Sequence, residues 1–405
     1  MSYKRLGDYI IEKVEFNDGD KYKLLQGVSN NKYFQKAKTN IIGIDLSKYR
    51  VAHYNQFVFN RATTRNGDKI SIALRKGESC IVSPSYRIFE VRDENVLHPD
   101  YLQMWFTRPE FDRYARFKSH GSAHEFFDME DMCEVELPIP SIEKQRQIVA
   151  QYQSVTNKIK VNEQICEKLE ATAQALYKHW FVDFEFPNEE GKPYKSSGGV
   201  MVWNEELGKE IPEGWEVKSF TETVKLTGGG TPSTEVWEYW NGNIPFFTPA
   251  DIQKSYYSIS TLKNITELGL KKSSTKLYPK NTVFITARGT VGAIGLSSQN
   301  MAMNQSCYAI KDSLPYYIHQ KTLNVIEKLK DEAVGAVFSA LVTKDFDQQN
   351  VLEPNEFIKI DFNNGVKNIY GLLLCKSQEI QKLTHLQSLL LSRLAVGEEI
   401  NNNRL

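Results

Sequence analysis

The chain repeats itself. The run Gln164-x3-Lys168-Leu169-x6-Leu176 returns as Gln378-x3-Lys382-Leu383-x6-Leu390, an offset of 378 − 164 = 214. The same offset carries Pro140 onto Pro354 and Gly121 onto Gly335. Three anchors on one ungapped offset are hard to obtain by chance, and so long a period dictates two copies of one folding unit. Upstream the match loosens. Ser83–Phe89 (SPSYRIF) aligns with Asn304–Ile310 (NQSCYAI) at 304 − 83 = 221, so small insertions separate the copies. Each copy reads as a variable globular part followed by a helical part.

The first helical part follows a strand-like ELPIP that ends at Pro140. Ser141 suits an N-cap, and Glu143 places a carboxylate in the first turn, where the helix dipole favours it. No proline or glycine interrupts the chain from there to Phe181. Ile148, Tyr152, Val155, Ile159, Asn162, Cys166, Leu169, Ala173, Leu176 and Trp180 follow one another in alternating steps of four and three. That spacing is a coiled-coil seam. The offset of 214 generates a second seam: Phe362, Val366, Ile369, Leu373, Lys376, Ile380, Leu383, Gln387, Leu390 and Leu394. Asn363-Asn364-Gly365 suggests that this second helix starts only near Val366. One amphipathic helix cannot bury its own stripe, so the two are expected to bury each other. A helix of about 40 residues spans about 60 Å. Run antiparallel, the pair would place the globular parts at opposite ends of a rod. Asn162 and Lys376 are the polar residues near the middle of each seam, and the expected register sets them opposite each other. It then pairs Val155 with Leu383, Leu169 with Ile369, and Cys166 with Leu373.

The expected fold is α+β: two globular domains separated by two long helices in an antiparallel coiled coil. Residues 1–140 form the first domain and 141–186 the central helix. Residues 187–212 form a polar, glycine-rich connector, 206–354 the second domain, and 355–397 the C-terminal helix. Strand signals include FVFNRATTRNGDKISIAL with turn residues Asn66-Gly67-Asp68, and NTVFITARGTVGAIGL in the second copy. Shorter helices are expected from Pro99 to Phe117 and from Tyr316 to Asp331.

Composition narrows the function. Fifty Lys+Arg balance 50 Asp+Glu, and 41% of residues are hydrophobic, which excludes a disordered chain. It also argues against coating nucleic acid through bulk charge, while leaving room for a local positive surface. No apolar run approaches a membrane span, and MSYKRLGDYI has no secretory signal, so a cytoplasmic protein without membrane contact is expected. Cys80, Cys133, Cys166, Cys307 and Cys375 show no zinc-type spacing and read as free thiols.

Enzyme signatures are absent. There is no GxxxxGK[ST] loop, and Gly228-Gly229-Gly230 stands beside Thr231-Pro232, which reads as a tight turn rather than a nucleotide cradle. His120 and His124 make no HExxH, and no metal site is expected. What is present is interleaved cations, amides and aromatics. Asn30 to Lys38, Asn60-Arg61, Thr64-Arg65-Asn66 and Lys69 lie in copy one. Lys271-Lys272-Ser273-Ser274, Lys276, Lys280 and Thr286-Ala287-Arg288 lie in copy two. Such residues neutralise phosphates and read base edges. The chain is expected to position something rather than convert it.

The chain resembles the specificity subunits of type I restriction-modification enzymes. LPIPSIEKQRQIVAQY (Leu137–Tyr152) is similar to that family's run into its first spacer helix. ALYKHWFVDFEFP, GKPYKSSGG and EELGKEIPEGWEV resemble its passage into the second recognition domain. GGGTPSTEVWEYWNGNIPFFTPADI (Gly228–Ile252), ITELGLKKSS, ITARGTVG and MNQSCYAI look like blocks of that domain, in order. The resemblance implies two target recognition domains, each reading one half of a split, asymmetric site in double-stranded DNA. It implies helices that fix the spacing and dock two methyltransferase subunits carrying S-adenosylmethionine, with restriction subunits bringing an ATP- and Mg-dependent translocase and nuclease. The chain itself would hold no cofactor and no catalytic residue. On this reading, base-edge contacts are expected from Lys36, Lys38, Arg61 and Arg65 in copy one, and from Thr248, Lys271, Lys272 and Arg288 in copy two. The rival readings are an interaction scaffold with no DNA role, and a nuclease or methyltransferase of unfamiliar type.

Overall fold

The computed structural model describes residues 3–37, 43–62, 69–119, 125–332 and 340–396. The chain divides into two compact units. One comprises residues up to Lys158 together with the chain from Leu383 onward; the other is Ile159–Lys382.

The two units repeat one topology. The first holds an antiparallel sheet in the order Ile10–Lys13, Tyr86–Val91, Phe57–Asn60, Ile72–Leu74. The second runs Leu226–Gly228, Cys307–Ile310, Val283–Thr286, Ile294–Ser297, and adds Tyr257–Ser258 in parallel at the edge. In each, the central strand is apolar at successive positions, Phe57-Val58-Phe59 and Val283-Phe284-Ile285, because both faces are buried. A short strand pair then closes each copy: Tyr3–Arg5 with Glu136–Pro138, and Glu216–Ser219 with Asn350–Glu353. Matching hydrogen bonds recur. Phe127 N–H donates to Arg61 O at 2.9 Å, and Leu341 N–H to Ala287 O at 2.9 Å. The Asp131 carboxylate caps the Asp128 N–H at 2.9 Å, and Asp345 caps Val342 at 2.7 Å. The offset of 214 thus carries Phe127, Asp128 and Asp131 onto Leu341, Val342 and Asp345.

The long helices are Ile142–Phe181 and Glu356–Val396. Every seam position in both is buried or half-buried. Within the second unit the helices run antiparallel. Phe181 and Trp180 meet Phe362, with ring centroids 5.1 and 5.6 Å apart, while fifteen residues earlier Cys166 lies in hydrogen-bond reach of Ser377, fifteen residues later. In the first unit, Gln387 Nε2 donates to Thr156 Oγ1 at 2.8 Å, and Val149 and Leu394 share the core. Near Cys166 the hydrogen-bond partner is therefore Ser377, about a turn beyond the expected Leu373, although Leu373, Leu169 and Ile369 share its core. Asn162 does not meet Lys376. Lys376 Nζ bonds Glu379 three residues along its own helix, at 2.7 Å. Asn162 is 0% exposed, and neither of its side-chain polar atoms has a hydrogen-bond partner among the described residues. A buried polar group without a partner costs about 1–3 kcal/mol. Asn162→Leu is therefore expected to raise stability by about 1–2 kcal/mol, read from the denaturant midpoint. An unchanged or lower midpoint would show that the carboxamide is satisfied in solution.

Two further expectations are corrected. The second long helix begins at Glu356, not near Val366. Asn363 does not break it. Its Oδ1 accepts the Tyr316 and Tyr317 N–H groups at 3.0 and 3.3 Å and so caps the helix Pro315–Glu332. Gly365 is exposed in open space and costs only the modest penalty of glycine in a helix. The helix expected from Pro99 to Phe117 is two helices, Pro99–Thr107 and Pro109–Lys118. Pro109 forces Arg108 into extended backbone, which ends the first. Residues 187–212 also hold more order than a connector needs: Met201–Asn204 pairs with Lys209–Pro212.

Candidate nucleic-acid interface

In the second unit the polar loops converge on one rim of the sheet. Val283–Thr286 and Ile294–Ser297 are joined by a tight loop carrying Arg288, which is exposed. Gly289 and Gly292 sit at φ +80° and +73°, a conformation that L side chains rarely adopt. Thr286 pins the loop: its N–H and C=O bond Ala293 and Gly292, and its hydroxyl accepts the Ala293 N–H at 3.0 Å. Thr290 Oγ1 donates to Pro249 O at 3.3 Å, which brings the Arg288 loop against the Thr248–Asp251 turn. Thr248 is occupied there. Its hydroxyl donates to Asp251 Oδ2 at 2.7 Å and its N–H to the same oxygen at 2.8 Å, while Asp251 Oδ1 accepts Leu262 N–H at 2.6 Å. These bonds shape the turn.

The other flank of the Arg288 loop is the Asn304–Ser306 turn, where Ala287 N–H donates to Ser306 O at 2.8 Å. Against that turn lies the triple glycine. Gly230 N–H donates to Met303 O at 3.2 Å, and a Cβ on Gly229 would stand 2.1 Å from Asn304 O. A Cβ on Gly230 would meet Ser274 Oγ, also at 2.1 Å. The glycines therefore end the strand Leu226–Gly228 in a close backbone crossing with the Ser274–Thr275 and Met303–Asn304 segments, not in the expected tight turn. Thr231 Oγ1 donates to Gln305 Oε1 on the exposed side. Lys271 and Lys272 are exposed at the end of the helix Glu267–Lys271, just before Ser274. Arg288, Gln305, Thr231 and Ser274 thus share one polar edge. Gln305 and Thr231 were not singled out by sequence reasoning; the signal was an amide and a hydroxyl flanking strand ends in NQS and GGGT.

In the first unit, Arg61 follows the strand that is the counterpart of Val283–Thr286. Its guanidinium bonds Asp128 Oδ2 at 3.0 Å and lies over the Phe126 ring at 4.8 Å. Arg87 Nε holds Asp128 Oδ1 at 2.9 Å. Burial works to raise the Asp128 carboxyl, but Arg87, the Met129 N–H and Arg61 outweigh it and hold it below the usual carboxylate range. Arg50 stands beside this network, 3.8 Å from Glu12, with Nε and Nη1 buried and without hydrogen-bond partners among the described residues. Burial, then the neighbouring Arg87, lower its pKa. Three arginines here, Arg50, Arg61 and Arg87, gather around Glu12 and Asp128. Lys36 is exposed at the end of the strand Phe34–Lys36. Lys38 and Arg65 lie outside the described residues. Lys32, from the same cationic run, turns inward to a buried pair with Asp112. Among the described residues no cluster of His, Cys, Asp or Glu could hold a metal ion. No described helix is long and apolar enough to cross a membrane.

Comparison with known proteins agrees with this architecture. The family model described as "Type I restriction modification DNA specificity domain" matches twice, over residues 4–171 and 212–384. The chain is 24% identical over 441 residues to the type I restriction enzyme HindI specificity subunit of Haemophilus influenzae, covering 95% of this chain and 94% of that one. It is 27% identical over 310 residues to the MjaIX specificity subunit of Methanocaldococcus jannaschii, covering 74% and 68%. Its fold matches the crystal structure of a type I restriction-modification S subunit from M. genitalium with a TM-score of 0.58 at 14% identity, over 97% and 96% of the two chains. With two matched copies spanning most of its length, the chain belongs to the type I restriction-modification DNA specificity family and is a DNA sequence-specificity subunit.

Proposed function

We propose that each unit reads one half of a split, asymmetric DNA site, and that the bases between the halves are spanned without being read. The observation that carries this reading is one topology used twice with different rim chemistry. The copy with Arg61 locked to Asp128 has its counterpart in a copy with Ala287 and Val342 at those positions and an exposed Arg288 next along the chain. Shared scaffold with divergent edges suits two unrelated half-sites. The long helices, packed as an antiparallel coiled coil, set the spacing. The pseudo-repeat suits two identical partners, here two methyltransferase subunits that bring S-adenosylmethionine. Restriction subunits with ATP and Mg complete the complex, and the chain contributes recognition without catalysis.

The test is a genome-wide map of methylated adenines in cells that carry the chain with its methyltransferase. A split motif should appear and should vanish when the chain is deleted. Methylation that survives the deletion would sink the proposal. Within the second domain, Arg288→Ala should weaken binding to the cognate duplex by about 1–3 kcal/mol and relax preference at one position of its half-site. Unchanged affinity and preference, by competition with single-base variants, would remove Arg288 from base reading.

A further inference from the structure

One segment that fastens the recognition rim of the second unit to the helix pair is Asp251–Ser258. At its start, Asp251 shapes the turn whose Pro249 carbonyl accepts the Thr290 hydroxyl of the Arg288 loop, at 3.3 Å. At its end, Tyr257–Ser258 forms the edge strand beside Ile294–Ser297, the strand that leaves the same loop. Tyr256 O accepts the Leu296 N–H at 2.7 Å. The segment therefore brackets the Arg288 loop from both ends. Between those ends it is tied to the first long helix. Tyr256 N–H donates to Glu170 Oε1 at 2.9 Å, and Tyr256 O–H reaches the Glu170 backbone carbonyl at 3.4 Å. The neighbouring Ser255 hydroxyl lies 2.9 Å from that of Ser377 on the second long helix.

We infer that Glu170 is a positioning residue for the second half-site: it sets where the Arg288 loop stands relative to the helices by holding Tyr256. This rests on the proposed reading of half-sites. Glu170 is half-buried, so its carboxylate is a costly group to place here unless its bonds to the segment are used. The ring of Tyr256 is buried against His319, with centroids 4.4 Å apart, so the tether ends in a packed junction rather than at a mobile surface. A strut of this kind acts on geometry, and a misplaced reading loop loses discrimination before it loses affinity.

The experiment uses the chain in complex with its methyltransferase and measures initial methylation rates on three duplexes. One carries the cognate site, one a single mismatch in the half read by the second domain, and one a single mismatch in the other half. Exchange of residues 1–140 identifies the halves beforehand. Glu170→Ala should raise the rate on the second-half mismatch, relative to cognate, by about tenfold, and leave the first-half ratio within about twofold. Glu170→Gln keeps an acceptor for the Tyr256 N–H and should restore wild-type ratios. Equal relaxation in both halves, or none in either, would overturn the inference. Should Glu170→Ala give no methylation at all, Glu170→Asp keeps the charge but draws the carboxylate back from the Tyr256 N–H; second-half relaxation there supports the inference and an unchanged pattern overturns it. Failure of the half-site reading would appear separately, as residues 1–140 exchanged without a change in either half, and would take this inference with it.

Discussion

Replacing Asp112 with alanine is expected to lower the stability of the first unit by about 3–5 kcal/mol, the usual cost of stranding one member of a buried ion pair. Lys32 Nζ lies 2.5 Å from both Asp112 Oδ1 and Ile70 O, and Asp112 Oδ1 also accepts the Ile70 N–H at 3.1 Å. The two side chains are only 6% and 9% exposed. Burial lowers the pKa of Lys32, although Asp112 opposes that shift. Desolvation therefore outweighs attraction for the ammonium, and the pair is no strong source of net stability. The large effect comes from leaving a buried ammonium with the Ile70 carbonyl and the Phe111 ring but no counter-charge. The double variant Lys32→Met, Asp112→Leu should recover most of the loss, because two apolar side chains remove both charges. Chemical denaturation followed by a probe in the first unit checks both. An Asp112→Ala variant within about 1 kcal/mol of wild type would show that water reaches Lys32.

The second large effect is expected at Gly229. Its Cβ, if present, would sit 2.1 Å from Asn304 O and 2.6 Å from Met303 O. Both obstacles are backbone, so no rotamer change relieves them. Gly229→Ala must push the triple glycine off the Asn304–Ser306 turn, at an overpacking cost of about 1–3 kcal/mol or more. Because Ala287 N–H hangs on Ser306 O, the disturbance reaches the Arg288 loop. DNA binding should fall at least about tenfold for the half-site of the second domain, since one lost base contact of about 1–3 kcal/mol suffices for that. Gly228→Ala is the control: nothing lies within 4 Å of its Cβ position, and it should bind as wild type. Equal behaviour of the two variants would contradict the crossing described here.

The long helices were legible in the sequence because a seam of alternating threes and fours leaves few other solutions, and each seam position is buried or half-buried. Their register was not. Matching Asn162 to Lys376 assumed that two polar seam residues satisfy each other, but Lys376 finds Glu379 within its own turn. The aromatic contacts of Phe362 with Tyr177, Trp180 and Phe181 bear on the register instead, and no spacing rule weighs aromatic bulk against a polar pair. Asn363 was misread because a helix breaker in sequence is a capping residue in space, used by a helix whose Tyr316 lies 47 positions earlier. At the rim, Arg288 was visible as a cation, but the run NTVFITARGTVGAIGL that reads as strand is two strands, bent apart where Gly289 and Gly292 take positive φ. Arg61 was visible as a cation, but its lock on Asp128 joins residues 67 apart and cannot be read along the chain. Lys32 and Lys36 belong to one cationic run, yet one is buried and one exposed. The positive φ of Lys32, +67°, turns its side chain toward Asp112.

The central claim is that each unit reads its own half of the site. The most direct measurement is the methylation motif of a chimaera in which residues 1–140 are replaced by those of a relative with a different target. One half of the split motif should change to the relative's, while the other half and the number of bases between them stay as they were. A motif that changes in both halves, or in neither while methylation continues, would contradict the account.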